Sequence, residues 1–215
     1  MNYDGYAEDR LSGRNGILPS INFIFPTLKN MKTLDIGCAD GLYLQHLGGG
    51  SIGVEQHPDL VLAAKEKGCH VIAGSLDEVL PNIEEGSFEA VLFSHVMEHV
   101  DAPIVTLRQI NVCLVHSGLL VLGLPTERNI FRDIFRKDYF DGTHIYAFTV
   151  RNTRKLLNCS GFEVQEIYYH LPIHKYPLGS LIEKVFNYLP IPFKSYLSMA
   201  YWITARKVCG LSDGA

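Results

Sequence analysis

Asp35, Gly37, Gly41 and Glu55 are the first residues whose types and spacing suggest chemistry. In Thr33–Gly41 a short apolar stretch ends in an acid, passes a glycine-bounded turn and continues as helix-like sequence from Leu42. Glycine is required where the backbone takes a positive φ or lets a ligand come close. Between a strand and a helix, such a turn binds a nucleotide. A dinucleotide fingerprint started at Gly37 needs glycines where the chain has Ala39 and Leu42, and a phosphate-cradling loop needs a Gly-Lys-Ser/Thr that is absent. Glu55 follows Gly37 by 18 positions, at the end of a second apolar run. A carboxylate there accepts hydrogen bonds from both hydroxyls of a ribose and disfavours a 2′-phosphate.

A second group of reactive side chains follows. His95-Val96-Met97-Glu98-His99 is formally the H-x-x-E-H pattern of a zinc protease. That pattern needs both histidines in one helix, whereas Ala90–Ser94 is strand-like and abuts His95; no third protein ligand can be assigned, so no metal is expected. His144 lies in Asp141–Thr149, beyond the fifth strand-like run. Histidine suits general-base work near neutral pH. His144 is the first candidate for that role, with Asp141 to orient it, and His95 is the second.

The elements that must position these groups alternate between strand and helix. Thr33–Ile36, Ser51–Glu55, His70–Ala73, Ala90–Ser94 and Leu119–Gly123 read as strands. Pro58–Lys67 and Pro103–Leu114 read as helices, the first opened by Pro58-Asp59 and closed by Gly68, the second stopped near Gly118. Leu42–Leu47 reads as a helix remnant. Such alternation predicts a doubly wound α/β sheet, mostly parallel. Val150–Cys159 then reads as a helix, and Phe162–Tyr169 and Met199–Lys207 as an antiparallel edge hairpin. Residues 1–25, 125–149 and 171–196 fit no such unit and read as lid or acceptor-site segments.

At 215 residues and 47% hydrophobic content, the chain is expected to form one domain, 1–215, with a sizeable core. A net charge of −4 without a basic run disfavours nucleic acid as a substrate. Five cysteines without a CxxC pair suggest a reduced, cytoplasmic protein, and neither a signal peptide nor a membrane-spanning run is apparent.

Two further segments carry a resemblance. Phe88–Val100 resembles the "sFDvvl…vlEHv.dp" segment of the small-molecule methyltransferase family that includes the ubiquinone-biosynthesis O-methyltransferases, and His116–Pro125 resembles its "kpGG.l.l..P" segment. The D-x-G-x-x-x-G turn resembles motif I of class I S-adenosylmethionine (SAM) methyltransferases. The likeness covers about residues 30–168, and Tyr201–Lys207 resembles the last strand; Ala39 and Glu89 depart from it mildly, replacing glycine and aspartate. It implies a Rossmann-like, seven-stranded fold, SAM as methyl donor and S-adenosylhomocysteine as product. Asp35, Gly37, Cys38 and Gly41 would wrap the methionine moiety and Glu55 the ribose. Ser75, Leu76 and Asp77 would read the adenine, although Ser75 with Glu78 also fits a helix-capping box. Ser94 and His95 would lie under the sulfonium.

The expected acceptor is a small organic molecule, methylated on a hydroxyl, in a pocket walled by some of Tyr3, Tyr6, Phe23, Phe25, Tyr139, Phe140, Tyr146, Tyr168 and Tyr169. Residues 171–196, aromatic with interspersed lysines, read as a peripheral membrane contact, a helix packed over the sheet edge or a homodimer face. Two other readings of the chain are a catalytically silent SAM-binding regulatory domain and an NAD-dependent oxidoreductase, the latter opposed by Ala39 and Leu42.

Overall fold

The computed structural model describes residues 3–12, 25–135, 144–173 and 176–208. Seven strands form one sheet: β1 (Thr33–Ile36), β2 (Ile52–Glu55), β3 (Val71–Ala73), β4 (Phe88–Ser94), β5 (Leu114–Pro125), β6 (Phe162–His170) and β7 (Ala200–Lys207). Their order is β3-β2-β1-β4-β5-β7-β6. The first five run parallel, and β7 enters antiparallel between β5 and β6, with Gly123 opposite Trp202. This is the doubly wound α/β sheet with an antiparallel C-terminal pair that the sequence predicts.

The helices are α1 (Tyr3–Leu11), α2 (Phe25–Leu28), α3 (Pro58–Glu66), α4 (Leu76–Val79), α5 (Pro103–Cys113), α6 (Ile130–Phe135), α7 (Val150–Cys159), α8 (Gly179–Tyr188) and α9 (Lys194–Leu197). β4 shows why the sheet is buried on both faces. Val91 and Phe93 join Leu107 and Ile110 of α5 and Leu157 of α7 in one cluster, while Ala90 and Leu92 join Leu28 of α2 and Trp202 in another. A strand covered on both sides has no polar face to show, hence its nearly continuous apolar run.

Two elements differ from expectation. The run after Gly41 makes only a single tight turn at Leu44–His46, where Leu44 packs under α3 beside Val61 and Ala64. α5 stops at Cys113, and β5 begins at once at Leu114, with Ser117 at φ +58°. The described parts of the segments that fit no strand–helix unit carry short helices, and α8 takes one of the readings given to 171–196, a helix packed over the sheet edge. α8 is pinned to β6 through Glu183, which accepts from Tyr168 Oη at 2.6 Å and Leu171 N at 2.7 Å. Its outer side exposes Leu181, Ile182, Val185 and Tyr188. Lys194 is turned inward, donating to Asn187 O at 2.7 Å and lying over the Tyr169 and Phe186 rings. Among the described residues no helix is long and apolar enough to cross a membrane.

Candidate functional site

The chain leaves β1 towards β2 and β3 on one side and returns to β4 and β5 on the other, so a crevice opens at the carboxyl ends of β1 and β4. A cavity of about 400 Å³ lies there, walled by Gly37, Val54, Glu55 and Gln56, by Gly74–Asp77, and by Val96 and His99–Asp101. Five residues singled out in the sequence line it together: Gly37, Glu55, Ser75, Leu76 and Asp77.

The turn after β1 is built by hydrogen bonds to β2. Gly37 (φ +70°) and Cys38 both donate their N–H to Val54 O, at 2.9 and 3.1 Å. Ala39, itself at φ +49°, donates to Glu55 Oε2 at 3.0 Å. Glu55 Oε1 accepts from Gln56 N and His57 N, both at 2.8 Å. Three backbone donors therefore hold this carboxylate on the cavity wall, and its oxygens retain capacity for a further donor.

Other predicted residues stand behind that wall. Asp35 is 1% exposed, its Oδ2 has no hydrogen-bond partner, and burial, reinforced by Glu55 and opposed by Arg10, pushes its carboxyl up to about 7. Cys38 turns its thiol into the core beside Gly53 and Leu44, and burial raises the thiol far above its ordinary value. Gly41 sits at φ +76°, where a Cβ would lie 2.8 Å from Cys69 Sγ and 3.1 Å from the Ala64 Cβ, so it lets α3 close on the turn.

α1 locks the turn from outside. Ala7 packs with Ala39 and Leu60, and Arg10 donates to Asp40 Oδ1 through Nε at 3.0 Å and Nη2 at 2.6 Å. Lys67 bonds the other Asp40 oxygen. Burial alone would raise the Asp40 carboxyl; the Lys67 hydrogen bond and the charge of Arg10 outweigh it and hold the group below the usual carboxylate range.

At the Val96 and His99–Asp101 end of the cavity two loops meet, and Ser94, His95 and His144 stand beside that end rather than in its lining. Ser94 ends β4 beside Gly123. His95, at φ +54°, donates its N–H to Gly123 O at 3.0 Å, meets the Trp202 ring edge-on at 5.8 Å, and places Nδ1 3.7 Å from Glu98 Oε1. Met97–His99 is a tight turn. Glu98 O accepts from Ile145 N at 2.9 Å and Tyr146 N at 3.2 Å, which draws the later segment in and sets the His144 and His99 rings 4.8 Å apart. His144 Nδ1 is 2.5 Å from Glu127 Oε1, and Arg132 stands 3.4 Å from the other Glu127 oxygen.

Glu127 is the carboxylate found beside His144; Asp141, expected there, and Phe23, Tyr139 and Phe140 lie outside the described residues. Sequence reasoning missed Glu127, although its signal was present: Glu55 is the last residue of β2, and Glu127 likewise stands at the carboxyl end of a strand, just past Pro125 of β5. Arg10, Asp40 and Lys67 were also missed, because a contact spanning such separations leaves no local pattern. Tyr168 belongs to the core under α8, while Tyr6 and Tyr146 are exposed.

A family model described as "Methyltransferase domain" matches residues 6–167. The chain belongs to this methyltransferase family. Solved SAM-dependent methyltransferases share the fold of this family member. One from Archaeoglobus fulgidus superposes with a TM-score of 0.67 at 21% identity, covering 87% of this chain and 91% of that one. A second, from Thermotoga maritima, gives 0.68 at 16% identity, covering 95% of each chain. A third, from Mesorhizobium loti, gives 0.66 at 16% identity over 87% of this chain and 96% of that one. No curated protein matches the sequence.

Proposed function

We propose that this methyltransferase holds SAM in the cavity at the ends of β1 and β4 and transfers its methyl group to a hydroxyl of a small organic acceptor. The observation that carries this reading is Glu55, fixed by three backbone N–H donors on one wall of a cavity whose other wall is Ser75–Asp77. The volume of about 400 Å³ lies within the range of small-ligand sites. Glu55 receives the ribose diol, Ser75, Leu76 and Asp77 meet the adenine, and Gly37 lets the methionine end approach. Asp35 and Gly41 shape the turn from beneath, and Cys38 contributes its backbone. Ser94 and His95 lie under the sulfonium.

SAM supplies a methyl group already activated on sulfur, so the protein's work is positioning, exclusion of water and removal of one proton. Glu127 accepts from the Nδ1–H of His144 and orients the ring, and Nε2 is the atom that takes the acceptor's hydroxyl proton. The likeness of Phe88–Val100 and His116–Pro125 to oxygen methyltransferases of quinone synthesis supports an oxygen acceptor. Methyl-labelled SAM offered with a panel of phenols, catechols, sugar hydroxyls, amines and thiols tests this. Label should enter a hydroxyl, and His144→Ala should lower kcat by about 10²–10⁴-fold with little change in SAM affinity. Label found only in amines or thiols would overturn the oxygen acceptor, and an unchanged kcat would remove His144 from the chemistry.

A further inference from the structure

We propose that Glu98, His99 and His144 bind one divalent transition-metal ion at the end of the cofactor cavity. A carboxylate oxygen of Glu98 and one ring nitrogen from each histidine lie within 4.8 Å of one another. The H-x-x-E-H stretch supplies two of these ligands, Glu98 and His99 from the tight turn, while His95, just after β4, is not in the cluster. The fold supplies the third from beyond α6, where Ile145 and Tyr146 bond the Glu98 carbonyl.

Three further observations point to a cation. Glu98 is 1% exposed, and its Oε2 is buried without a hydrogen-bond partner. A carboxylate oxygen in that state is costly unless something binds it. Glu127, 5% exposed, stands 2.5 Å from His144 Nδ1. A carboxylate on one ring nitrogen fixes the tautomer and presents the other nitrogen's lone pair, the usual outer support of a metal-binding histidine. The cluster also gathers two buried carboxylates, Glu98 and Glu127, against one guanidinium, Arg132, at 3.4 Å from Glu127.

Two imidazoles and one carboxylate suit zinc, manganese, iron or cobalt, whereas magnesium and calcium prefer all-oxygen shells. With bonds of about 2.1 Å, two ligand atoms stand at most about 4.2 Å apart, so small side-chain rotations close the site. Three protein ligands leave positions open, as in catalytic centres. His99 also lines the cofactor cavity, which sets those positions beside it.

The ion deepens the proposed function and rests on that reading for its chemistry, though not for ion binding itself. A hydroxyl bound to the ion loses its proton to solvent more readily. Its oxygen then forms the bond to the methyl carbon as the carbon–sulfur bond breaks, and sulfur keeps the electron pair. With the ion bound His144 is a ligand, and the general-base role given to it above belongs to the ion-free protein.

The test uses the untagged full chain, stripped with chelator and titrated with Zn²⁺, Mn²⁺, Co²⁺ and Mg²⁺ by calorimetry, with Co²⁺ absorption as a coordination signature. One equivalent of Co²⁺ or Zn²⁺ should bind, with Mg²⁺ weaker. Glu98→Gln and His144→Ala should abolish the cobalt spectrum, and Glu127→Gln should weaken binding by about 10–100-fold. Thermal unfolding guards against misfolded variants: Zn²⁺ should raise the melting temperature of the wild type and leave that of folded Glu98→Gln unchanged. Absence of stoichiometric binding, or equal binding by Glu98→Gln and His144→Ala, would overturn the site. Turnover that survives complete metal removal would overturn the ion's role and leave His144 as base. Failure to bind SAM would sink the methyl-transfer reading while the metal titration still reported on the cluster.

Discussion

Replacing Asp35 by asparagine should become more favourable to stability by about 2–3 kcal/mol between about pH 5 and pH 8. The carboxyl lies at the end of β1 with Oδ2 unpartnered, and burial with the nearby Glu55 charge raises it from 3.8 to about 7 despite Arg10. A raised acid binds its proton more tightly folded than unfolded. Stability from this group is therefore present below the unfolded value, is lost as pH rises towards the folded value, and levels off above it. With one unit worth about 1.4 kcal/mol, the wild type forfeits about 1.5 kcal/mol by pH 5 and about 4 kcal/mol by pH 8. Asparagine removes that dependence but leaves a buried amide N–H₂ in need of an acceptor, a cost of about 1–3 kcal/mol at any pH. The variant should thus lie between about 0.5 kcal/mol more and about 1.5 kcal/mol less stable than wild type at pH 5, and be about 1–3 kcal/mol more stable at pH 8. The difference between the two pH values, about 2–3 kcal/mol, is independent of the amide cost. Urea unfolding of both proteins without cofactor, at several pH values across this window, measures it. Parallel pH profiles would refute the reasoning, since they would mean that Asp35 is ionised throughout.

Two further substitutions probe how the turn is held. Gly41→Ala places a Cβ at φ +76° and 2.8 Å from Cys69 Sγ, and should cost about 2–4 kcal/mol in urea unfolding; a loss below 1 kcal/mol would show that α3 does not close on the turn as described. Arg10→Met leaves Asp40 buried with Lys67 as its remaining cationic partner. It should cost about 2–3 kcal/mol, less than a fully orphaned buried charge, and speed hydrogen exchange in α1; unchanged exchange there would detach α1 from the turn.

The parts of this molecule legible in the sequence are those governed by local pattern. The βαβ core followed from short apolar runs punctuated by Gly68, Gly118 and Pro125, and the cavity wall followed from Gly37, Glu55 and Ser75–Asp77. The glycine turn was read correctly as a turn, yet part of its composition serves packing: Gly41 admits α3, and Cys38 faces Gly53. Ala39 holds a left-handed conformation without glycine because its methyl is buried against Ala7 and Leu60, which offsets the strain of about 1 kcal/mol. The site's second half was less legible. The strand-like run abutting His95 was legible, and β4 does run to Ser94, but the tight turn at Met97–His99 that follows it was not. Glu127 and His144 meet only because β5 delivers one and the Glu98 carbonyl captures the segment carrying the other. Such long-range pairings have no signature in a single sequence.

The central claim is that the cavity between Glu55 and Ser75–Asp77 is the SAM site. Titration calorimetry of the wild type and Glu55→Ala with SAM tests it most directly. The wild type should bind one equivalent, and Glu55→Ala should bind at least about tenfold more weakly, the loss of one charge-assisted pair of hydrogen bonds. No heat from the wild type, or equal affinity in a folded Glu55→Ala, would contradict the account.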